Sequence, residues 1–164
     1  MVMAQGSEQM TYIYLDHAAT SPLRPEARDA MEPFGDVLYA NPSGSHKFAR
    51  EARRAIDEAR DMVAAAIGCK PGEVVFTSGG TEGANSAILG TVRRVGGVAV
   101  CTASEHHAVL HCVEHVNGVV VRVNSVGTVD LEDLQRVLEA ATDEQPITVV
   151  SVMAVNNEVG SITP

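Results

Sequence analysis

The chain has 164 residues, with 12 Lys and Arg against 21 Asp and Glu, which gives a formal net charge of −9. This length fits one domain or a piece of a larger one, and an apolar content of 45% is typical of a globular protein. The acidic balance argues against nucleic acid as a partner, because nucleic-acid binding depends on Lys and Arg that neutralise phosphates. No apolar segment approaches the ~20 residues that span a bilayer, so no membrane partner is expected.

The N-terminal residues and the cysteines indicate a cytoplasmic protein. Residues 1–11 lack the basic and apolar regions of a signal peptide, and they are interpreted as an extension or an expression remnant. Cys69, Cys101 and Cys112 are an odd number without close spacing, which is typical of free thiols in a reducing compartment. We expect each of them to be a buried structural thiol.

The predicted elements change in character along the chain. Turn residues dominate residues 16–45, where one helix is predicted over 26–39. A helix over 46–67 has apolar residues at three- and four-residue spacing and ends at Gly68. Apolar strands then alternate with helices: strands are predicted over 73–77, 98–103, 119–124 and 147–155, and helices over 81–95, 108–116 and 131–141, the last with Asp130 as its N-cap. The alternation predicts an α/β fold with βαβ units and a parallel sheet buried on both faces.

Polar residues follow each predicted strand, at the edge where open α/β sheets bind ligands. The four segments are Ser78–Gly83, Ser104–His107, Asn124–Ser125 and Asn156–Glu158. Gly79, Gly80 and Thr81 stand where a strand becomes a helix, so their N–H groups can hold a phosphate, although a tight turn needs the same residues. His106 can stack on an aromatic ring or move a proton near neutral pH, or it can simply cap a helix.

Three histidines have the spacing of metal ligands on a helix. His107, His111 and His115 are four residues apart, beside Cys112. Neither the HExxH motif nor a cysteine pair accompanies them, and a solvated helix face accounts for the same pattern. No metal site is predicted.

Five ordered motifs carry a resemblance to a known family. The chain resembles the cysteine desulfurases, which are NifS-like pyridoxal-phosphate enzymes of the aminotransferase class V group, from about residue 12 to residue 164. The motifs are Tyr14–Thr20, Asn41–His46, Phe76–Glu82, Ser104–His106 and Met153–Gly160. The resemblance implies the N-terminal part only of a fold-type-I large domain. It divides the chain into an N-terminal segment with cleft-lining loops over 12–45 and the first part of the pyridoxal-phosphate-binding α/β domain over 46–164.

The resemblance also assigns roles to single residues. Gly80 and Thr81 match the pair that holds the cofactor phosphate. His106 matches the histidine that stacks on the pyridine ring and shuttles protons, which makes it the expected catalytic residue. Asn157 matches the asparagine bonded to the phenolic oxygen of the ring, and Asn41 matches a residue near the substrate.

Other residues that the family needs have no counterpart here. The Schiff-base lysine, the catalytic cysteine and the arginine for the substrate carboxylate are expected beyond Pro164. The only lysines, Lys47 and Lys70, do not match the family lysine. The chain alone is therefore expected to be inactive, and to require a complementing C-terminal chain or an intertwined oligomer. Later strands are expected to separate the strand at 73–77 from the other three.

The implied activity of the parent protein is conversion of L-cysteine to L-alanine and an enzyme-bound persulfide, which supplies sulfur for iron–sulfur clusters or thiolation. Its expected partners are a second identical subunit in a homodimer and an iron–sulfur scaffold or another sulfur acceptor protein. Two alternatives stay open. One is a different class V enzyme, such as an aminotransferase, a selenocysteine lyase or an epimerase. The other is a non-enzymatic metal-binding or interaction module that uses His107, His111 and His115.

Overall fold

A computed structural model describes residues 13–164, so the extension predicted over 1–11 lies outside the described residues. The chain divides into two compact units between Val74 and Val75. The predicted division between residues 45 and 46 separates cleft-lining loops from the cofactor-binding domain, which is a division by role rather than by compactness. It stays a prediction.

The first unit is helical. Its elements are α1 (Pro25–Met31), α2 (Pro33–Asp36), α3 (Lys47–Ile67) and a 3-10 turn over Pro71–Glu73. The prediction of one helix over 26–39 was wrong, since two short helices occur there. Pro33 begins the second helix, because a proline has no N–H to donate to the preceding turn but fits the first position of a helix.

The prediction for α3 is confirmed at both ends. Its N-cap is His46, whose Nδ1 atom accepts a hydrogen bond of 3.2 Å from the N–H of Ala49. It ends at Gly68, whose φ of 76° is the left-handed conformation that suits glycine. Ala52 of the predicted apolar stripe is buried, whereas Phe48, Met62 and Ile67 of the same stripe are exposed. The other buried residues of α3, Ala49 and Ala64, lie outside that stripe.

The second unit has a parallel sheet with helices between its strands. The elements in chain order are α4 (Gly80–Val95), β1 (Val98–Thr102), α5 (His107–His115), β2 (Val119–Val121), α6 (Leu131–Glu139) and β3 (Ile147–Ser151). The strand order is β2-β1-β3, and β1 pairs in parallel with both neighbours. The predicted α/β class and parallel sheet are confirmed. Asp130 caps α6 as predicted, because its Oδ1 atom accepts from the N–H groups of Glu132 and Asp133 at 3.1 Å.

The strand predicted over 73–77 was wrong. Residues 71–73 form the 3-10 turn, and residues 74–77 belong to none of the strands in the described part of the chain. Val75 is 78% exposed and Phe76 is 50% exposed. A strand needs a neighbour to satisfy its backbone groups, and both sides of β1 are already occupied by β2 and β3. The segment is thus not adjacent to β1, and its expected separation from the other strands by later strands stays a prediction.

Side chains of β1 alternate between two cores, as the pleat of a strand requires. Ala99 and Cys101 pack with Ile88 of α4 and with Cys112 and Val113 of α5. On the other face, the side chains of Val100, Val121 and Val129 form a second cluster, with Leu134 and Val137 of α6 packed against it. Burial on both faces holds for β1 alone, because β2 and β3 are only partly covered.

Two of the three cysteines are buried as predicted. Cys101 and Cys112 lie in the core, and Cys69 is half-buried. Burial raises the pKa of Cys101 to about 11, with further contributions from the charges of Glu105 and Glu114. Burial also raises the pKa of Cys112. Among residues 13–164, no helix combines the length and apolar character that crossing a membrane requires.

Candidate functional site

The segments that follow the three strands meet at one edge of the sheet, as predicted. After β1, the backbone oxygen of Ser104 accepts a hydrogen bond of 2.9 Å from the side-chain amide of Asn156, which follows β3. The carboxylate of Glu105 accepts a hydrogen bond from the N–H of Met153. The hydroxyl of Ser104 donates to the backbone oxygen of Gly127, in the turn after β2, at 3.0 Å. These contacts bring the polar residues of three strand ends within reach of one ligand.

Asn157 lies in a turn that the neighbouring Asn156 shapes. The Oδ1 atom of Asn156 accepts from the N–H groups of Glu158 and Val159 at 2.9 and 3.0 Å. Asn156 is only 9% exposed, whereas Asn157 is exposed. The buried asparagine therefore orders the turn, and the side chain of Asn157 stays accessible to a ligand.

His106 begins helix α5 with its own side chain. Its Nδ1 atom accepts a hydrogen bond of 3.1 Å from the N–H of Ala108, so a neutral ring carries its proton on Nε2. The ring lines a cavity of about 350 Å³ together with Ser104, Gly127, Asn157 and Glu158. This cavity brings His106 and Asn157 together, as the resemblance implies.

Gly80 and Thr81 form the first turn of α4. The first N–H groups of a helix have no acceptor within the helix, and α4 is 16 residues long, so this end attracts anions. A Cβ atom placed on Gly79 or on Gly80 would meet no atom within 4 Å, so the space beside this turn is open. The donors and the open space together fit a phosphate group.

A carboxylate also lies in this first turn. The Oε2 atom of Glu82 accepts hydrogen bonds of 2.6 Å from both the hydroxyl and the N–H of Ser78. These two donors, the hydroxyl first, lower the pKa of Glu82. The Glu82 charge therefore orders the turn before α4.

Asn85 connects the beginning of α4 with the beginning of α5. Its Nδ2 atom donates to the backbone oxygen of Thr81 at 2.9 Å and to that of Ala108 at 3.1 Å. A groove of about 630 Å³ runs between these helices and is lined by Thr81, Asn85, His106 and His107, among others. His106 thus lines both this groove and the cavity that contains Asn157.

Asn41, the expected substrate contact, belongs to the first unit. Its Oδ1 atom accepts a hydrogen bond of 2.9 Å from the N–H of Ser43. It lines a cavity of about 540 Å³ with Tyr39, His46 and Phe48. One of its polar atoms is therefore used within its own loop, and its role at a substrate stays a prediction.

The three histidines of α5 are exposed. The rings of His107 and His111 are 5.1 Å apart between centroids, whereas His115 makes no ring contact with them. Within the part of the chain that the structure describes, no group of three or more His, Cys, Asp or Glu residues is arranged to hold a metal ion.

Three residues of this region had no assigned role in the sequence analysis: Asn85, Glu105 and Asn156. Asn85 follows Thr81 by four residues, so one helix turn places them on the same face. Glu105 and Asn156 stand directly before His106 and Asn157 in the quoted motifs. A polar residue directly beside an expected ligand contact, at the end of a buried strand, is the sequence signal that could have indicated Glu105 and Asn156.

Comparison with known proteins matches the whole described chain to one family. The family model described as aminotransferase class V matches residues 13–164. The curated cysteine desulfurase IscS of Dictyoglomus turgidum is 43% identical over 160 residues, which are 93% of this chain and 39% of that protein.

Solved structures give the same relationship. A NifS-like protein from Rickettsia africae is 31% identical, with a TM-score of 0.80 over 92% of this chain and 42% of the other. A structure titled SspA in complex with cysteine is 32% identical, with a TM-score of 0.74 over 92% of this chain and 44% of the other. The comparisons confirm the resemblance and the predicted fold class, the N-terminal part of a fold-type-I large domain. The chain spans about two fifths of the length of the relatives that it matches.

Proposed function

Since this chain belongs to the aminotransferase class-V family, we propose that it is the N-terminal part of a pyridoxal-phosphate-dependent cysteine desulfurase. The reaction of the parent protein takes L-cysteine and an enzyme thiol, breaks the carbon–sulfur bond of the substrate, and yields L-alanine and an enzyme persulfide. The identity to proteins named cysteine desulfurase supports this activity, as does the cysteine complex of one structural relative.

The residues at the edge of the sheet fit the cofactor. The N–H groups of Gly80 and Thr81, with the threonine hydroxyl, would hold the phosphate at the start of α4. The ring of His106 would stack on the cofactor, and the amide of Asn157 would donate a hydrogen bond to its phenolic oxygen. When bound, pyridoxal phosphate supplies an electron sink for the negative charge that develops on the substrate.

His106 carries most of the chemistry that this chain contributes. Its Nδ1 atom is engaged by the N–H of Ala108, which fixes the ring and leaves Nε2 as the atom that can hold or release a proton. The observation that carries the proposal is the position of His106, which lines both the groove with Thr81 and the cavity with Asn157. One side chain thus lies beside the expected sites for the phosphate and for the ring oxygen.

The partners and the location follow the same proposal. L-cysteine is the substrate, with Asn41 near it, and a second copy of the parent protein completes a homodimer. The sulfur acceptor is an iron–sulfur scaffold or a thiolation protein in the cytoplasm. The family resemblance assigns no Schiff-base lysine, catalytic cysteine or carboxylate-binding arginine to residues 13–164, so we expect turnover only from the assembled parent protein.

The experiment is a product balance on the assembled enzyme, in which this chain is present with the complementary C-terminal part. The assembly is given L-cysteine, and alanine and sulfane sulfur are quantified. We expect equal amounts of the two products. Transfer of the amino group to an oxo acid without sulfur release would identify an aminotransferase, racemisation of the substrate would identify an epimerase, and activity on selenocysteine alone would identify a selenocysteine lyase.

A further inference from the structure

We infer that Glu105 and Asn156 are positioning residues, which hold the segments carrying His106 and Asn157 at a fixed separation whether or not a ligand is bound. The inference rests on the proposed function, because it concerns the same site. Both residues line the cavity as well, and both form hydrogen bonds with the protein backbone. Each acts through the residue that follows it in the chain.

Two hydrogen bonds connect the segment after β1 with the segment after β3. The carboxylate of Glu105 accepts from the N–H of Met153, 48 residues later in the chain. The amide of Asn156 donates to the backbone oxygen of Ser104 at 2.9 Å, and these two residues are 52 positions apart. The two bonds begin at adjacent residues, Ser104 and Glu105, so a separation of the two segments would break both.

Each end of this connection is itself well ordered. The Oε1 atom of Glu105 also accepts from the hydroxyl of Thr102, the buried last residue of β1, at 3.4 Å. On the other side, the segment after β3 folds back on itself through a bridge between Val155 and Ile162. The Oδ1 atom of Asn156 holds the turn that contains Asn157. A displacement of either segment would therefore break several hydrogen bonds.

Burial increases the energetic cost of losing these hydrogen bonds. Asn156 is 9% exposed and Glu105 is half-buried, so a lost partner leaves a polar group with little access to water. One peptide unit separates Glu105 from His106, and one separates Asn156 from Asn157. A shift in the connected pair passes directly to both ligand contacts, and a site loosened by as little as 1 Å binds and reacts poorly.

Side-chain chemistry provides variants that separate positioning from folding. Glu105→Ala removes the acceptor for Met153, whereas Glu105→Gln keeps a carbonyl oxygen there. Asn156→Asp keeps the acceptor for Glu158 and removes the donor to Ser104. Asp130→Ala is the matched control, because it also removes two backbone hydrogen bonds but lies at the start of α6, away from the lining of the cavity.

The test measures three quantities on the assembled enzyme: the cofactor dissociation constant, the visible circular dichroism of bound pyridoxal phosphate, and hydrogen exchange of the Met153 amide without cofactor. We expect Glu105→Ala and Asn156→Asp to change the dichroism and to raise the cofactor dissociation constant about tenfold. A tenfold increase corresponds to the loss of about one hydrogen bond. Glu105→Ala also speeds exchange at Met153. Glu105→Gln stays within about twofold of the parent protein, and Asp130→Ala lowers only the unfolding temperature.

The outcomes separate the inference from the function on which it rests. The inference is overturned if the exchange rate of the Met153 amide is unchanged in Glu105→Ala. It is also overturned if Glu105→Ala and Asn156→Asp bind the cofactor as tightly as Asp130→Ala does. A parent assembly that does not bind pyridoxal phosphate overturns the proposed function instead. In that case the exchange rates at Met153 still decide whether Glu105 holds the two segments together.

Discussion

The Nδ1 atom of His106 accepts a hydrogen bond of 3.1 Å from the N–H of Ala108. One imidazole thereby satisfies a free donor at the first turn of α5 and also lines the cavity at the edge of the sheet. In the described residues, the Nε2 atom of His106 has no hydrogen-bond partner. The capping role and the chemical role of this side chain must therefore be separated in any mutant experiment.

Two substitutions of His106 make that separation. In the assembled enzyme, His106→Ala should lower turnover at least about 100-fold, because it removes a proton-transferring group, while the cofactor still binds. It should also lower the free energy of unfolding by about 1 kcal/mol through the lost cap. His106→Asn keeps a capping oxygen, so it should recover the stability but not the turnover. Steady-state rates and thermal unfolding measure both effects, and near-normal turnover in His106→Ala would remove this residue from the mechanism.

Gly80 is the point at which the phosphate proposal is most easily tested. A Cβ atom there meets no atom of the protein within 4 Å, so Gly80→Val should fold. Its added bulk lies where an anion must approach the backbone, so the cofactor dissociation constant should rise more than about tenfold. Gly90→Val in the same helix is the control, since a Cβ there is also unobstructed and far along α4. Equal cofactor affinity in the two variants would contradict a phosphate site at Gly80.

Helices and strands could be predicted from the sequence where residues within the element itself determine its structure. The apolar period of α3 and the cap at Asp130 are local signals, and both appear in the structure. The run at 73–77 has the composition of a strand, yet a strand forms only beside a partner, and composition carries no information about the partner. Pro33 marks a break within 26–39 that the overall helical pattern concealed.

The candidate site could be predicted in part for the same reason. Strand ends of a parallel sheet meet at one edge, so topology alone places His106 near Asn157. The contacts of Glu105 with Met153 and of Asn156 with Ser104 span about 50 residues, and no local pattern specifies such pairs. Their discovery required the structure.

The three cysteines should react in a defined order with a thiol reagent. The pKa of Cys101 is raised to about 11, so at pH 8 about one thiol in a thousand is ionised, and the side chain is fully buried. Half-buried Cys69 should therefore be alkylated well before Cys101 and Cys112. At pH values below the pKa of Cys101, the rate of its labelling should increase about tenfold for each unit by which the pH is raised, while the fold persists. The reason is that only the thiolate reacts, and its fraction increases about tenfold per pH unit.

Mass spectrometry of alkylated peptides measures this order, and labelling in denaturant gives the reference in which all three cysteines react. Equal native rates at Cys69 and Cys101 would show that the core of the second unit opens readily to solvent.

The lysines of this chain should not hold the cofactor. Lys47 is an exposed side chain that lies 3.7 Å from Glu51 one helix turn away, and Lys70 is exposed in the loop before the 3-10 turn. Neither lysine lines the cavity that His106 and Asn157 share. After incubation with pyridoxal phosphate and borohydride, peptide mapping should find only substoichiometric adducts on the 164-residue chain. A stoichiometric adduct at Lys47 would identify it as the cofactor lysine.

The isolated chain should not exist as a stable monomer. In the sheet of order β2-β1-β3, the outer strands each have one neighbour, so each leaves a row of backbone groups unpaired. Free strand edges recruit other chains or aggregate. Exposed apolar side chains support the same expectation, because Val75 is 78% exposed and Val150, on the outer strand β3, is 43% exposed. Val100, on the central strand β1, is by contrast buried beneath α6.

The cost of this exposure is comparable to the stability of a whole domain. About 400 Å² of apolar surface left in water forgoes about 10 kcal/mol at about 25 cal/mol per Å², and domains are stable by about 5–15 kcal/mol. We therefore expect light scattering on the purified chain to show association or aggregation. Addition of a C-terminal polypeptide that corresponds to the rest of the relatives should give a defined complex with a cooperative melt. A soluble monomer that melts cooperatively without a partner would show that β2 and β3 are tolerated as free edges, and that the chain needs no complement in order to fold.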